Sequence, residues 1–366
     1  MTPDIAETTT ITLLSLLTSS LTFKAIFYFP ASGLGLALIF LLYTNSAMAS
    51  MKTAISAYQN NDYHLAKELC SVELDSKPND ELVNHYLGRL AYLQGEFEQA
   101  ETYFAKAIEL NAQNHKNFYW LAVTLSGQFS TVSIFSTFSL VDRFLSAANQ
   151  AVNLAPHSLL AHEGLFKFYV SAPSILGGSI KLAQKQAKII AQLDVAAGHY
   201  AQGRIHYQES ELKLAEQQIR LALALNPQRI KYNFGLALLL STTERDLEAI
   251  EVFAGIAKLK AIDPFERINI WLSMDKVAEM SALSGDKLVL GEAAIKTYLT
   301  RNVANSKLSE TSWAKSRLAT IYQHQGKNTQ AVQLLNEILT NTTDKKLKKH
   351  LKKQLRKLKL ANASSQ

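Results

Sequence analysis

Apolar and small residues recur along this chain at helical spacing, with a longer period of 34 residues beneath it. The stretch YLGRLAYLQGEFEQAETYFAKAIEL (86–110) sets the frame. Gly88, after Leu87, stands twelve residues before Ala100, and Phe104 and Ala107 follow at four and seven. Ala66 lies 34 residues earlier, with Ala54 twelve before it and Pro78 twelve after. Ala215 has Gly203 and Pro227 at the same offsets, and Ala249 follows after another 34 residues, with Ala237 before it and Phe253 after. Ala331, with Ala319 and Tyr322 ahead of it, closes the series. Apolar steps of three and four put these residues on one helical face, so each unit predicts two amphipathic helices. Gly or Ala is needed where two antiparallel helices cross closely, and Leu, Phe and Tyr fill the space between. One pair leaves an apolar face bare, which the next pair covers.

Two units break the frame. Helix HKNFYWLAVTLSG (115–127) is followed by Phe144 where Ala is expected, 44 residues after Ala100 instead of 34. The inserted QFSTVSIFSTFSL (128–140) predicts an extra turn or short helix. Ala183 then follows Phe144 by 39 residues, and the surplus falls in SAPSILGGSIKLAQKQA (171–187). A Gly-Gly-Ser before a Lys-rich helix suggests anion binding at a helix N-terminus. A phosphate loop, however, needs Gly-x4-Gly-Lys-Ser/Thr after a strand, which is absent. The favoured reading is an enlarged turn, with Gly177 and Gly178 supplying positive-φ freedom and Ser179 as N-cap. PFERINIWLSMDKVAEMSAL, opened by Pro264, predicts a long helix in the least regular unit, 264–301, with KLVLGEAAIKTYL as its partner. That gives about eight helix pairs.

The Leu-Gly of the first helix and Ala-x3-Phe of the second, at a 34-residue period, resemble the tetratricopeptide repeat. The resemblance covers roughly residues 52–340. The Phe-Tyr-x-x-Ala-Pro-x-x-x-Gly-Gly-Ser run (168–179) is similar to a variant unit of exported bacterial members, which are mostly binding or assembly factors. The family implies an all-α, right-handed α-solenoid of antiparallel helix pairs over residues 50–343. It also implies a concave groove lined by the first helix of each pair, where unit positions 2, 5, 9 and 12 point. Those positions hold His85, Arg89, Tyr92, Lys116, Tyr119, Glu163, Lys167, Tyr200, Arg204 and Tyr207. Tyr and Arg dominate interface hot spots, and their alternation suits an extended peptide carrying carboxylates.

Composition narrows the picture. Few Pro (7) and a modest number of Gly (15) exclude a collagen-like or disordered chain. The net charge of +7 suggests nucleic acid until it is located: residues 345–359 (KKLKKHLKKQLRKLK) hold nine Lys/Arg and no acid, and without them the chain carries −2. Leu347, Leu351, Leu355 and Leu358 form one apolar stripe there, predicting a helix over 344–366 that caps the last pair. Like-charge i,i+4 pairs such as Lys348–Lys352, Lys349–Lys353 and Lys352–Arg356 disfavour such a helix in isolation. An anionic membrane touching Lys348, Lys349, Lys352, Lys353, Arg356 and Lys357 relieves the repulsion.

At the other end, the apolar Leu34–Tyr43 followed by Ala47-Met48-Ala49 has the form of a signal peptide, cleaved to begin the mature chain at Ser50. The stretch ahead of it is long and acidic for such a signal, which suggests a translation start near Leu21. The competing reading is an inner-membrane anchor over residues 25–43. Export makes nucleic acid a poor partner and leaves the bacterial periplasm or envelope as the site of action.

Chemistry-bearing motifs are sparse. Cys70, the lone cysteine, reads as a small buried hydrophobe, and Trp120, Trp271 and Trp313 read as core. The nine histidines show no metal-ligand spacing, and neither a zinc-protease helix nor a Gly-x-Ser-x-Gly elbow is present. No cofactor is implied. The expected function is a non-enzymatic scaffold gripping a protein or peptide in its groove; the alternative is a membrane-peripheral assembly factor docked by the basic helix.

Overall fold

The computed structural model describes residues 51–129, 132–301 and 310–364. The chain divides into a unit spanning Met1–Ala49 and a second spanning Ser50–Gln366. The signal peptide and the 25–43 span lie outside the described residues. The described residues of the second unit form 17 α-helices, a 3-10 turn and no strand.

Sixteen of the helices make eight antiparallel pairs. They are α1 (51–59) with α2 (Tyr63–Ser76), α3 (Glu81–Gln94) with α4 (Phe97–Leu110), α5 (His115–Gln128) with α6 (Ile134–Leu154), and α7 (Leu159–Ser171) with α8 (Ile180–Leu193). Then come α9 (Val195–Gln208) with α10 (Leu212–Leu225), α11 (Ile230–Thr242) with α12 (Asp246–Ile256), α13 (Pro264–Ser284) with α14 (Leu288–Leu299), and α15 (Thr311–His324) with α16 (Asn328–Asn341). The last helix, α17 (Lys345–Ser364), lies on α15 and α16. Each first helix packs on its own partner and on neighbouring pairs, so the core is a row of linked clusters, as a solenoid requires.

Local chemistry explains the boundaries. Asp80 opens α3 by accepting from the Leu82 and Val83 amides at 2.8 and 3.2 Å, and Gly95 ends it at φ +80°. The small residues of the 34-residue frame sit at the crossings: Ala66, Ala100, Ala215, Ala249 and Ala331 are fully buried. A Cβ on Gly88 would come within 2.8 Å of the Phe104 ring, and one on Gly203 within 2.8 Å of Ile219 and 3.1 Å of the Ala215 carbonyl oxygen. On the other face, ion pairs link successive second helices. Glu101 holds Arg143, Glu216 holds Arg245 at 2.8 Å, and Glu292 holds Lys327 at 2.9 Å.

The irregular units have physical explanations. Residues 134–139 of the first insertion form the opening turns of α6, which reaches 21 residues instead of the usual 14. Phe144, standing where Ala is expected, is accommodated by Phe168, with ring centroids 4.8 Å apart. In the second insertion Ser174–Leu176 is a 3-10 turn closed by Gly177 at φ +92°. A Cβ on Gly178 would lie 1.7 Å from the Ala172 carbonyl oxygen, and the Ser179 hydroxyl accepts from the Leu182 amide. Gly177 is thus required for its positive φ, whereas Gly178, expected to share that role, does not have positive φ and is required because a side chain would collide with the backbone.

Candidate functional site

The inner face of the solenoid is built from the first helices, and their side chains meet across unusual sequence distances. Lys231 on α11 reaches Glu163 on α7 at 2.6 Å, passing over α9, where Tyr200 lies with its ring 5.5 Å from the Lys231 ammonium. Tyr200 in turn packs on Tyr232, centroids 4.9 Å apart. Side chains two pairs apart touch only where the curvature brings first helices together, which marks this as the concave side.

The decisive feature is α13. Asp263 caps it by accepting from the Glu266 amide at 2.8 Å, while Glu266 accepts from the Ile262 amide at 3.1 Å, and Pro264 occupies the first turn. This opening points Phe265 back at the early repeats. Its ring stacks on Trp120 of α5 at 5.4 Å and meets Tyr92 of α3 edge-on at 5.9 Å. Ile268 is buried in the same cluster, and Leu272 packs against it. Glu266, 3% exposed, pairs with Arg229 at 3.2 Å. The groove beside α3 and α5 is thus filled by the chain's own helix.

Several sequence-selected residues belong to this closed half. His85 is buried, and its Nδ1 lies 2.6 Å from Asn117 Oδ1. The Asn117 amide nitrogen donates to Glu81 at 2.7 Å, so Oδ1 faces the histidine as an acceptor and the Nδ1 position carries the proton. Burial then holds the histidine pKa down to about 4. The Arg89 guanidinium sits among aromatic faces, 4.4 Å from the Tyr58 ring, 5.1 Å from Tyr86 and 4.8 Å from Trp120. Tyr92 is buried, its phenol pushed up to about 12. Tyr119 is half-buried against Trp120, with its phenol also raised by burial. Glu163 and Tyr200 are half-buried in the Lys231 cluster.

The other groove residues lie towards solvent. Lys116 and Lys167 are exposed. Arg204 is half-buried and donates to the Ser171 hydroxyl at 3.1 Å, and exposed Tyr207 lies 3.3 Å from the Thr242 hydroxyl. Arg204, Ser171, Tyr207 and Thr242 connect the C-terminal ends of α7, α9 and α11 in one strip.

Sequence reasoning missed Phe265, Glu266, Arg229 and Lys231 as inner-face residues. The available signal was the Asp263-Pro264-Phe265 helix start with Ile268 and Leu272 at three and seven residues beyond the phenylalanine. It was masked because the unit departs from the 34-residue frame.

Of the core readings, Cys70 is fully buried, with its thiol pushed up to about 12 by burial. Trp120 is buried, whereas Trp271 and Trp313 are half-buried. His206, Glu209 and Glu211 gather at the end of α9 with ligand atoms within 4.8 Å of one another. His206 is already bonded to Glu211 at 2.6 Å, as befits an exposed turn. On α17, Leu347 and Leu351 are fully buried against α15 and α16, Lys348 is half-buried, and Lys349, Lys352, Lys353, Arg356 and Lys357 are exposed.

The fold defines a helical-repeat solenoid. Within it, residues 82–114, which are α3, α4 and the turn after them, match the tetratricopeptide repeat family model. Yeast Tom70 shares the fold at a TM-score of 0.59 and 15% identity, over 87% of this chain and 65% of its own, so this chain spans about two thirds of that protein. A tetratricopeptide repeat protein of Parabacteroides merdae aligns over 76% of this chain and 99% of its own, with a TM-score of 0.47 and 12% identity. A thermophilic tetratricopeptide protein of Thermus thermophilus aligns over 53% and 98%, with a TM-score of 0.46 and 16% identity. No curated protein matches by sequence.

Proposed function

We propose that this chain is a non-enzymatic protein-interaction scaffold, and that it holds an acidic partner segment on the part of its inner face that α13 leaves open. The observation that carries this reading is the strip formed by Arg204, Ser171, Tyr207 and Thr242, with exposed Lys167 on the same helix as Ser171. It offers a guanidinium and a phenol at the surface of a rigid curved platform. Such groups take carboxylates and extended peptides. Tyr92, by contrast, is buried, and half-buried Arg89 has its guanidinium against the Tyr58, Tyr86 and Trp120 rings. The proposed location is the bacterial periplasm or envelope, supported by the Leu34–Tyr43 run and Ala47-Met48-Ala49 of the sequence.

Crosslinked co-purification from the native envelope tests the site, comparing the parent with Lys167→Glu/Arg204→Glu. A discrete protein captured by the parent and lost with the variant, at unchanged melting temperature, supports the strip. Equal capture by both refutes it. Sequencing the N-terminus of the purified chain tests the location: a start at Ser50 supports export with cleavage, and an intact segment over 25–43 supports anchoring.

A further inference from the structure

The C-terminal helix separates its two chemistries with unusual completeness. Leu347, Leu351 and Leu358 are 0, 0 and 5% exposed, packed with Ala319, Leu335 and Ile338 of the last pair. Docking is fixed by polar contacts as well. Asp344 caps the helix by accepting from the Lys346 and Leu347 amides at 2.7 and 3.2 Å and takes the Trp313 indole N–H at 3.1 Å, and Gln354 donates to the Thr320 hydroxyl at 2.7 Å. The apolar stripe is therefore inside the protein. Directly opposite it, Lys349, Lys352, Lys353, Arg356 and Lys357 are all exposed. At 3.6 residues per turn they cover an arc of roughly 140° along about 12 Å of helix. No acidic residue follows Asp344 in the sequence, and no carboxylate among the described residues pairs with these five.

We infer that this lysine face adsorbs the end of the solenoid onto an anionic phospholipid bilayer, edge-on and without inserting the leucines. An inserting amphipathic helix lays its apolar face among the acyl chains, but here that face is already in the protein core. What remains is a rigid array of cations whose mutual repulsion an anionic surface relieves. A bilayer suits the array better than nucleic acid. Four of the five are lysines, point charges lacking the planar fork that reads phosphate bidentately. The one ring among them, His350, packs on Trp313 with centroids 5.6 Å apart, while no Phe, Tyr or Trp is interleaved for base stacking. The apolar N-terminal run also predicts a chain that meets a membrane. The proposal is independent of the groove reading.

The test is flotation of the full chain with phosphatidylcholine vesicles, with and without phosphatidylglycerol, beside Lys349→Glu/Lys353→Glu/Arg356→Glu. Subtracting binding to the neutral vesicles removes any contribution of residues 25–43. Expected is added binding to the anionic vesicles that weakens as salt rises. The variant should reduce it by roughly a hundredfold or more, since each basic residue near such a surface contributes about a fivefold factor. Should the reversal impair folding, the corresponding triple Gln variant is used, with an expected loss of roughly a hundredfold from the three charges removed. Equal binding to both vesicle types, or binding unchanged in a folded variant, overturns the proposal. So does tighter binding to a duplex oligonucleotide at the same salt. Hydrogen exchange at Leu335 and Ile338, beneath the helix, should stay slow on vesicles; acceleration would overturn the edge-on mode in favour of undocking and insertion.

Discussion

At the scale of single residues, the inner face is organised by burial. His85 is the clearest case. Its neutral ring is fixed by Asn117, and burial holds its pKa near 4, below the ordinary 6.5. Below pH 6.5 the unfolded chain takes up a proton that the folded chain refuses. Stability attributable to this residue is therefore complete above about pH 6.5 and is lost as the pH falls towards 4, by roughly 3 kcal/mol across that window. Thermal melts at stepped pH should show that slope in the parent and a shallower one in His85→Gln, which cannot titrate. The glycines divide just as sharply. Gly203→Ala drives a methyl towards Ile219 and a backbone carbonyl and should destabilise by about 1–3 kcal/mol. Gly255→Ala, with nothing within 4 Å, should stabilise α12 by up to about 1 kcal/mol. Denaturant midpoints of the two variants should move in opposite directions.

At the scale of helices, α13 behaves as a ligand supplied in cis. Its length of 21 residues lets one end pack within its own pair while the other reaches Trp120 and Tyr92. Phe265→Ala removes one half-buried ring from this contact and should lower stability by about 2 kcal/mol, with a change in Trp120 fluorescence and little change in total helicity. The sequence pattern made the regular helices legible because Gly88, Gly203 and the fully buried alanines must be small wherever pairs cross. It also made the leucine stripe of α17 legible, because a period of three and four is local information. Which groove positions stay open was not legible. His85, Arg89 and Tyr92 occupy the same unit positions as Tyr200, Arg204 and Tyr207, yet most of the first set is enclosed and Tyr207 is exposed. For Tyr92 the difference comes from Phe265, which is remote in sequence and carries no repeat signature, whereas Asn117 and Phe104 enclose His85 and the Tyr58, Tyr86 and Trp120 rings surround Arg89. Unit position predicts the face a residue points to, whereas the side chains of neighbouring and distant helices decide what covers it.

At the scale of the whole second unit, these remote contacts change how the molecule should unfold. An open solenoid is a row of nearest-neighbour interfaces, so it can fray from either end and lose pairs one at a time. Here Trp120 and Phe265 tie the third pair to the seventh, Arg229 and Glu266 link the sixth to the seventh, and Lys231 and Glu163 tie the sixth to the fourth. Unfolding of pairs two to seven should accordingly be concerted, with α3 and α13 exchanging their amide protons at similar protection. The double variant Phe265→Ala/Ile268→Ala cuts the longest tie while leaving every nearest-neighbour interface in place. Pulse-labelled hydrogen exchange should then show α3–α5 opening in a separate, easier step from α11–α14. If the regions still open together in the variant, nearest-neighbour interfaces alone account for the cooperativity, and the inner-face contacts are passive packing. If they separate, the cis-docked helix makes one cooperative body of the repeats and holds the curvature that carries Arg204 and Tyr207 at the surface.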